Sequence, residues 1–385
     1  MPGDRYVPLD GATLRNPYPL LAELRRTEPV FWHEGMRSWA LTRYADCVRV
    51  LREHERFARD PRRIGGAVPE PSLSVQTLDP PEQSRVRSLF MTALRAQDLT
   101  VVEGRARVLV LERLSALAGA GPFDVVAEIA VPLSVTVVSD VLGVEPPPYA
   151  EFAALSDAIM RSMDGGLEPS LVEPGRIARQ QLSDLVESWF QDSPRSGLLS
   201  LVRAAEPGPV PLDALYVKNT ARVMFQGGYS TMAAAVGNAV HTLLTRPGVL
   251  DRFRNRGVRA TGVDELVRFD GPVQGTTRTA VQTCRIGAAR IASGDRVVAL
   301  FAAANRDPAA FPDADELVLD RTPNRHLGYG WGPHSCVGTT VAQAGLRALV
   351  AALAEHPAHL AAAGEGMRRR TATMRAFDTL PAVLR

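Results

Sequence analysis

The chain has 385 residues, 45% hydrophobic and 22% charged, which is ample material for a buried core and lacks the bias of a disordered or fibrous protein. A formal net charge of +2 leaves no electrostatic footprint for nucleic acid, and three cysteines (Cys47, Cys284, Cys336) are too few, and odd in number, for a disulfide framework. The opening Met1-Pro2-Gly3-Asp4-Arg5 is polar, and no apolar run is long enough to span a bilayer, so a cytoplasmic protein free of membrane is expected.

In chain order, Asn16-Pro17 followed by Leu20, Leu21 and Leu24 predicts a helix with proline in its first turn. Val30-Phe31-Trp32, a turn at Gly35 and Trp39-Ala40-Leu41-Thr42 predict a short hairpin. From Pro81 to about Leu142 the spacing is mostly helical, broken at Gly119–Gly121 and Pro122, and Pro146-Pro147-Pro148 ends that block. Gly165–Pro174 reads as a loop between two helices. From about Leu212 to Arg246 a proline-free pattern predicts one long rod, with Gln226-Gly227-Gly228-Tyr229-Ser230-Thr231 near its middle. Two adjacent glycines there cost roughly 1 kcal/mol each relative to alanine, so close helix packing or a functional need for room has to keep them. Arg285–Ile291 and Asp295–Leu300 read as strands. No linker, repeat or low-complexity tract divides the chain. The expectation is one mainly α domain over residues 1–385, with β-containing parts at about 28–45 and 272–330.

The segment Tyr329-Gly330-Trp331-Gly332-Pro333-His334-Ser335-Cys336-Val337-Gly338 places one cysteine in a Gly-studded loop, and Val341 to Val350 follows with helical apolar spacing. A thiol at a helix N-terminus is favoured as its anion, and such a thiolate suits an axial ligand of haem iron. A buried structural cysteine is the plainer alternative. A dinucleotide-binding loop is disfavoured because no β-run leads into the glycines.

That segment resembles the haem-binding loop of the cytochrome P-450 family: an aromatic, Gly, any, Gly, any, His, any, Cys, any, Gly, with Tyr329 where the family usually has Phe. Three further signatures follow the family's order. The resemblance implies a triangular prism, with haem between the long central helix and the helix after the cysteine. It makes Cys336 the axial ligand and haem b the cofactor, with dioxygen as co-substrate. Gly330 belongs to the same loop. Gly227, Gly228 and Thr231 match the family's central-helix pattern, whereas Ser230 stands where that pattern has an acid. Serine can pass a proton on but does not ionise near pH 7. Delivery through water and Thr231, a polar group on the substrate, and a reaction less dependent on the relay all remain open. Glu265-Leu266-Val267-Arg268 matches the Glu-any-any-Arg helix, with Arg321 as third member of an ion network. Arg278, His334 and Arg87 are the implied donors to haem propionates, joined by Gln83 where the family usually has His.

The resemblance also implies pocket walls from residues 63–76, the Gly165–Pro174 region, the central helix and a late turn. Val223, Val273, Met374 and Phe377 would supply apolar surface, and Tyr229, Gln274 and Thr276 hydrogen bonds. That mixed lining suits an oxygenated intermediate. The implied activity is monooxygenation: hydroxylation or epoxidation of a small natural-product intermediate (polyketide, peptide or terpenoid), free or carrier-bound, in antibiotic or other secondary-metabolite biosynthesis. Oxidative coupling, cyclisation or desaturation on the same haem, or non-catalytic ligand binding, are the alternatives. No electron-transfer sequence is fused to the chain, so a ferredoxin and ferredoxin reductase are the implied donors to a monomer. Arg85 and Arg347 are candidate contacts, and Arg368-Arg369-Arg370 is the densest basic run.

Overall fold

Proline-free runs rich in Ala, Leu and Arg build helices, and short β-branched or aromatic clusters between turns build a minor sheet. The computed structural model describes residues 5–191, 195–205 and 211–385, so the polar opening lies mostly outside the described residues. The helices that position the site are α1 (Tyr18–Thr27), α2 (Tyr44–Arg52), α3 (Glu82–Arg95), α4 (Leu99–Leu117), α5 (Val131–Leu142), α6 (Tyr149–Arg161), α7 (Val172–Gln191), α8 (Ala214–Thr245), α9 (Arg256–Asp270) and α10 (Thr339–Glu355).

Helix α8 is the predicted rod, 32 residues and about 48 Å long at 1.5 Å per residue. Asp213 caps it by accepting from the Leu215 N–H at 2.8 Å. It runs unbroken through Gly227-Gly228, so the glycines do not interrupt the helix. A Cβ on Gly228 would lie 3.0 Å from a Val138 methyl of α5, whereas one on Gly227 would meet nothing within 4 Å. Gly228 serves packing; Gly227 leaves room. On another side, α10 comes so close that a Cβ on Gly345 would lie 2.9 Å from the Met232 sulfur.

The main sheet contains β1 (Val30–His33), β2 (Ser38–Leu41), β3 (Phe57–Ala58), β4 (Gly275–Ala280) and β7 (Arg296–Leu300), in the order β1-β2-β7-β4-β3. The strands β5 (Cys284–Ile286) and β6 (Ala289–Ile291) form a separate hairpin. Among the described residues only β2 and β7 pair in parallel, with Trp39 opposite Val297; Arg278 on β4 lies opposite Val297, and Ala58 on β3 opposite Thr279.

Two expectations need correction. Helix α7 begins at Val172, so Pro174 stands in a first helical turn, where its missing N–H breaks no bond, and the loop before it is shorter than predicted. Strands also occur outside 28–45 and 272–330, at Phe57–Ala58, Phe123–Asp124, Leu360–Ala362, Met367–Arg368, Phe377–Thr379 and Pro381–Leu384. Phe57–Ala58 and Phe123–Asp124 find their partners only at long range, with Ala382 opposite Phe123, and all six are two to four residues long, too short for a period of two to show.

Candidate active site

The cysteine loop is held by its backbone and by α3. Cys336 N–H donates to Tyr329 O and Gly330 N–H to Leu327 O, both at 2.8 Å. Gly330 and Gly332 have φ of 68° and 73°, a left-handed conformation natural to glycine. Gly332 has a second reason: a Cβ there would sit 2.4 Å from the Leu51 carbonyl oxygen of α2. From α3, Arg87 donates to Ser335 O at 2.7 Å and Ser335 Oγ at 3.1 Å, and Gln83 Nε2 donates to Pro333 O at 2.8 Å.

The Cys336 sulfur opens into a cavity of about 330 Å³. Burial pushes this thiol up, opposed by the Gly338 N–H, the Thr339 hydroxyl and the Arg87 charge. Coordination to a metal is what removes such a proton. Among the described residues, no group of three or more His, Cys, Asp or Glu side chains could hold an ion. A lone cysteine suits iron whose remaining ligands come from a macrocycle.

The rim of the cavity tests that fit. Arg278 is buried and donates only to Thr276 Oγ1 at 3.3 Å and Thr277 O at 2.9 Å; burial pushes it down to about 9, the Arg59 charge adding to the effect and Asp79 opposing it. Arg59 donates to the same Thr276 Oγ1 and Thr277 O, both at 3.0 Å. His334 Nε2 meets Asp79 Oδ1 at 2.9 Å, while its buried Nδ1 has no partner. Asp79 is also spent on the Arg59 and Asp60 N–H groups. Arg59 and Arg278 thus have no carboxylate within ion-pair distance among the described residues, the one beside His334 is shared with Arg63 at 3.4 Å, and an orphaned ring nitrogen is left over. A ligand bearing two carboxylates meets that deficit, so the residues fit haem.

Gly227, Gly228 and Thr231 of α8 line the same cavity as the sulfur, and the Thr231 hydroxyl donates to Gly227 O. Ser230 does not line it. Its Oγ lies 2.6 Å from Ser156 Oγ of α6 and accepts from Gln226 Nε2 at 2.8 Å, so it faces a buried helix interface.

Of the expected wall residues, Val223, Val273, Thr276 and Met374 line the cavity. Tyr229, Gln274 and Phe377 do not. Tyr229 packs edge-on against Phe152 at 4.5 Å, Gln274 donates to Gly271 O at 2.9 Å, and Phe377 lies under Arg368 at 3.7 Å. Gln83 is likewise off the cavity, its amide committed to the loop backbone. Arg59, Val138, Met163 and Met224 line it instead. No local motif marked Arg59; only the pairing of β3 with β4 brings it beside Arg278.

Glu265, Arg268 and Arg321 form the expected network, fully buried at its centre. Arg268 grips both Glu265 oxygens at 2.8 Å, Arg321 Nε lies 3.2 and 3.1 Å from them, and the Val318 N–H donates to Oε1 at 2.8 Å. Arg268 also donates to the carbonyls of Asn305, Ala314 and Glu316, knitting α9 to the approach of the cysteine loop. The outer arginines are less free than expected. Arg347 is paired with Glu103 at 2.7 Å, Arg85 donates to Pro211 O at 2.9 Å, and Arg368, Arg369 and Arg370 each meet a carboxylate.

Comparison with known proteins agrees with this geometry. The family model described as Cytochrome P450 matches residues 258–358. The mycinamicin IV hydroxylase/epoxidase of Micromonospora griseorubida is 32% identical over 351 residues, covering 88% of this chain and 86% of that protein. The 6-deoxyerythronolide B hydroxylase of Saccharopolyspora erythraea is 29% identical, covering 94% of this chain and 95% of that protein. Among solved structures, cytochrome P450 CYP109Q5 from Chondromyces apiculatus has a TM-score of 0.84 at 27% identity, with 98% of this chain and 97% of that one covered. A mutant of P450 EryK in complex with erythromycin B has a TM-score of 0.86 at 27% identity, with 97% and 96% covered. Among the described residues, no helix is long and apolar enough to cross a membrane.

Proposed function

The chain belongs to the cytochrome P450 family, and from that premise we propose that it is a haem-thiolate monooxygenase hydroxylating or epoxidising a bulky, neutral natural-product intermediate. One observation carries this reading: a single cysteine sulfur and a propionate-ready rim share one cavity with Gly227 and Thr231. The two-carboxylate deficit at Arg59, Arg278 and His334 supports haem b as the form bound, with Arg87 beside the ligand loop. Bound there, haem iron supplies the dioxygen chemistry, which an anionic sulfur ligand favours.

The chain's own residues do the rest. Thr231 holds a hydroxyl on the cavity face, where it can hand a proton inward through water. Ser230 is turned to Ser156, so this helix presents neither a carboxylate nor a second hydroxyl toward the reacting centre. Proton delivery therefore rests on Thr231, water and any hydroxyl of the substrate.

Substrate class follows from the walls. Val138, Val141, Val223, Met163, Met224 and Met374 give an aliphatic, sulfur-rich surface, and among the described residues no Asp or Glu lines the cavity. Such a wall favours a neutral aliphatic ring system over an amine-bearing one, a macrolactone being the example nearest to the relatives' names. Electrons come from a separate ferredoxin and its reductase, and the protein works as a cytoplasmic monomer. Whether the substrate arrives free or on a carrier protein is read by comparing the free acid with its carrier-loaded form.

The test uses purified holoprotein. Reduction under carbon monoxide gives the red-shifted Soret band of thiolate ligation, and Cys336→Ala abolishes it; a parent protein without that band sinks the assignment. With labelled dioxygen, label in the product supports monooxygenation. An unlabelled coupled, cyclised or desaturated product replaces that reading, and oxidation of reductant with no product at all points to a ligand-binding role.

A further inference from the structure

A second cavity, of about 440 Å³, opens behind the turn that carries Met374, between α1, the C-terminal ends of α8 and α9, and the Arg368–Arg375 segment. Arg15, Arg246, Arg306, Arg368 and Arg375 line it. Its only carboxylates among the described residues are Asp270 and Asp315. Five arginines against two aspartates leave an excess of three positive charges in one small space.

The two aspartates are already committed. Asp270 accepts from Arg375 Nε at 2.6 Å, from Arg368 at 3.1 Å and from the Tyr18 hydroxyl at 2.5 Å. Asp315, largely exposed, meets Arg306 at 3.2 Å. Arg15 and Arg246 have no carboxylate within ion-pair distance among the described residues. The Arg246 guanidinium lies over the Phe269 ring at 4.3 Å, and that of Arg306 over Phe269 at 3.6 Å and Tyr18 at 4.2 Å. Arg306 spends its N–H groups on Phe269 O and Asp315, Arg375 on Asp270 and the Leu14 and Arg15 carbonyls, and Arg368 on Asn238 and Asp270, so Arg15 and Arg246 supply the N–H edges that can meet an oxyanion. The neighbouring His241 is pushed down to about 4 by burial, then by Arg368, with Asp270 opposing and Arg375 and Arg246 adding to the effect. The cleft is thus strongly positive and stays so at neutral pH.

We propose that this cleft binds the diphosphate group of a small molecule. A diphosphate carries about the charge that is missing, and its oxygens suit the forked donors of arginine, which grip phosphate in pairs. A single carboxylate would leave two positive charges uncompensated. The site also touches the substrate cavity from behind. Arg375 N–H donates to Pro272 O at 2.7 Å, and its neighbour Met374 pairs with Val273, both of which face the main cavity. An occupant of the cleft therefore leans on the substrate wall.

The experiment is calorimetric titration of holoprotein with inorganic pyrophosphate at constant ionic strength, haem already filling the Arg59–Arg278 rim. One saturable site per chain is expected, weakened at least tenfold in R15A/R246A and by a smaller factor in R246Q. Both variants are to keep the parent's Soret band and its melting temperature without pyrophosphate. Absence of saturable binding up to millimolar pyrophosphate overturns the proposal, as does unchanged affinity in R15A/R246A, or in R246Q should the double variant fail to fold. Equal affinity for malonate overturns the assignment to diphosphate.

Discussion

Replacing Glu265 with glutamine keeps the side chain's shape and removes its charge, leaving the buried guanidiniums of Arg268 and Arg321 with no counter-ion in contact. Removing one partner of a buried pair costs about 3–5 kcal/mol, because the remaining charge stays desolvated. Unfolding entropy of roughly 2.1 cal/mol/K per residue gives about 0.8 kcal/mol/K for the whole chain, so the penalty lowers Tm by about 4–6 °C. The control is Glu103→Gln, which breaks the partly exposed pair with Arg347; a pair of that kind contributes about 0–1 kcal/mol, a shift of about 1 °C or less. Differential scanning calorimetry of both holoproteins decides the matter. A Glu265→Gln shift no larger than that of Glu103→Gln would refute the claim that burial sets the value of this network.

Gly227→Ala and Gly228→Ala each add about 1 kcal/mol of intrinsic helix stability, but only Gly228→Ala pushes into Val138. Thermal melts should show Gly227→Ala at or above the parent and Gly228→Ala below it, while spectral titration shows Gly227→Ala weakening substrate binding by narrowing the cavity. Ser230→Ala leaves Ser156 and Gln226 short of a buried partner and should destabilise by about 1–3 kcal/mol in urea melts without changing peroxide leakage, whereas Thr231→Ala raises that leakage during turnover. A histidine whose folded pKa is depressed binds its proton more readily when unfolded, so His241 withdraws stability as pH falls from its ordinary 6.5 towards about 4. The urea midpoint should therefore drop more steeply over that window in the parent than in His241→Gln, and equal slopes would dismiss the effect.

What could be read from the sequence was whatever depends on near neighbours. The cysteine loop, the Glu265/Arg268 pair three residues apart, and the glycines of α8 each carry their geometry in local spacing. What escaped depends on azimuth or remote pairing. One helical step of about 100° separates Ser230 from Thr231, enough to turn one hydroxyl to α6 and the other to the cavity. Gln226, four residues before Ser230, was the available hint, since that spacing puts both on one face. Arg59 had no such hint, because its place is set by β4, more than two hundred residues later. Gln83 was assigned to the cofactor from the role of the residue it replaces, yet its amide reaches the loop's own carbonyl.

The frame of the ligand loop has a consequence for the order of assembly. Gln83 and Pro333 are 250 residues apart, and Arg87 and Ser335 are 248 apart. Gly332 is seated directly on the carbonyl of Leu51, from α2. Closing such long loops is entropically unfavourable and comes late, after local helices have formed. Residues 258–358 therefore hold the loop's own backbone hydrogen bonds but not its outer frame, which α2 and α3, made first on the ribosome, supply to Cys336.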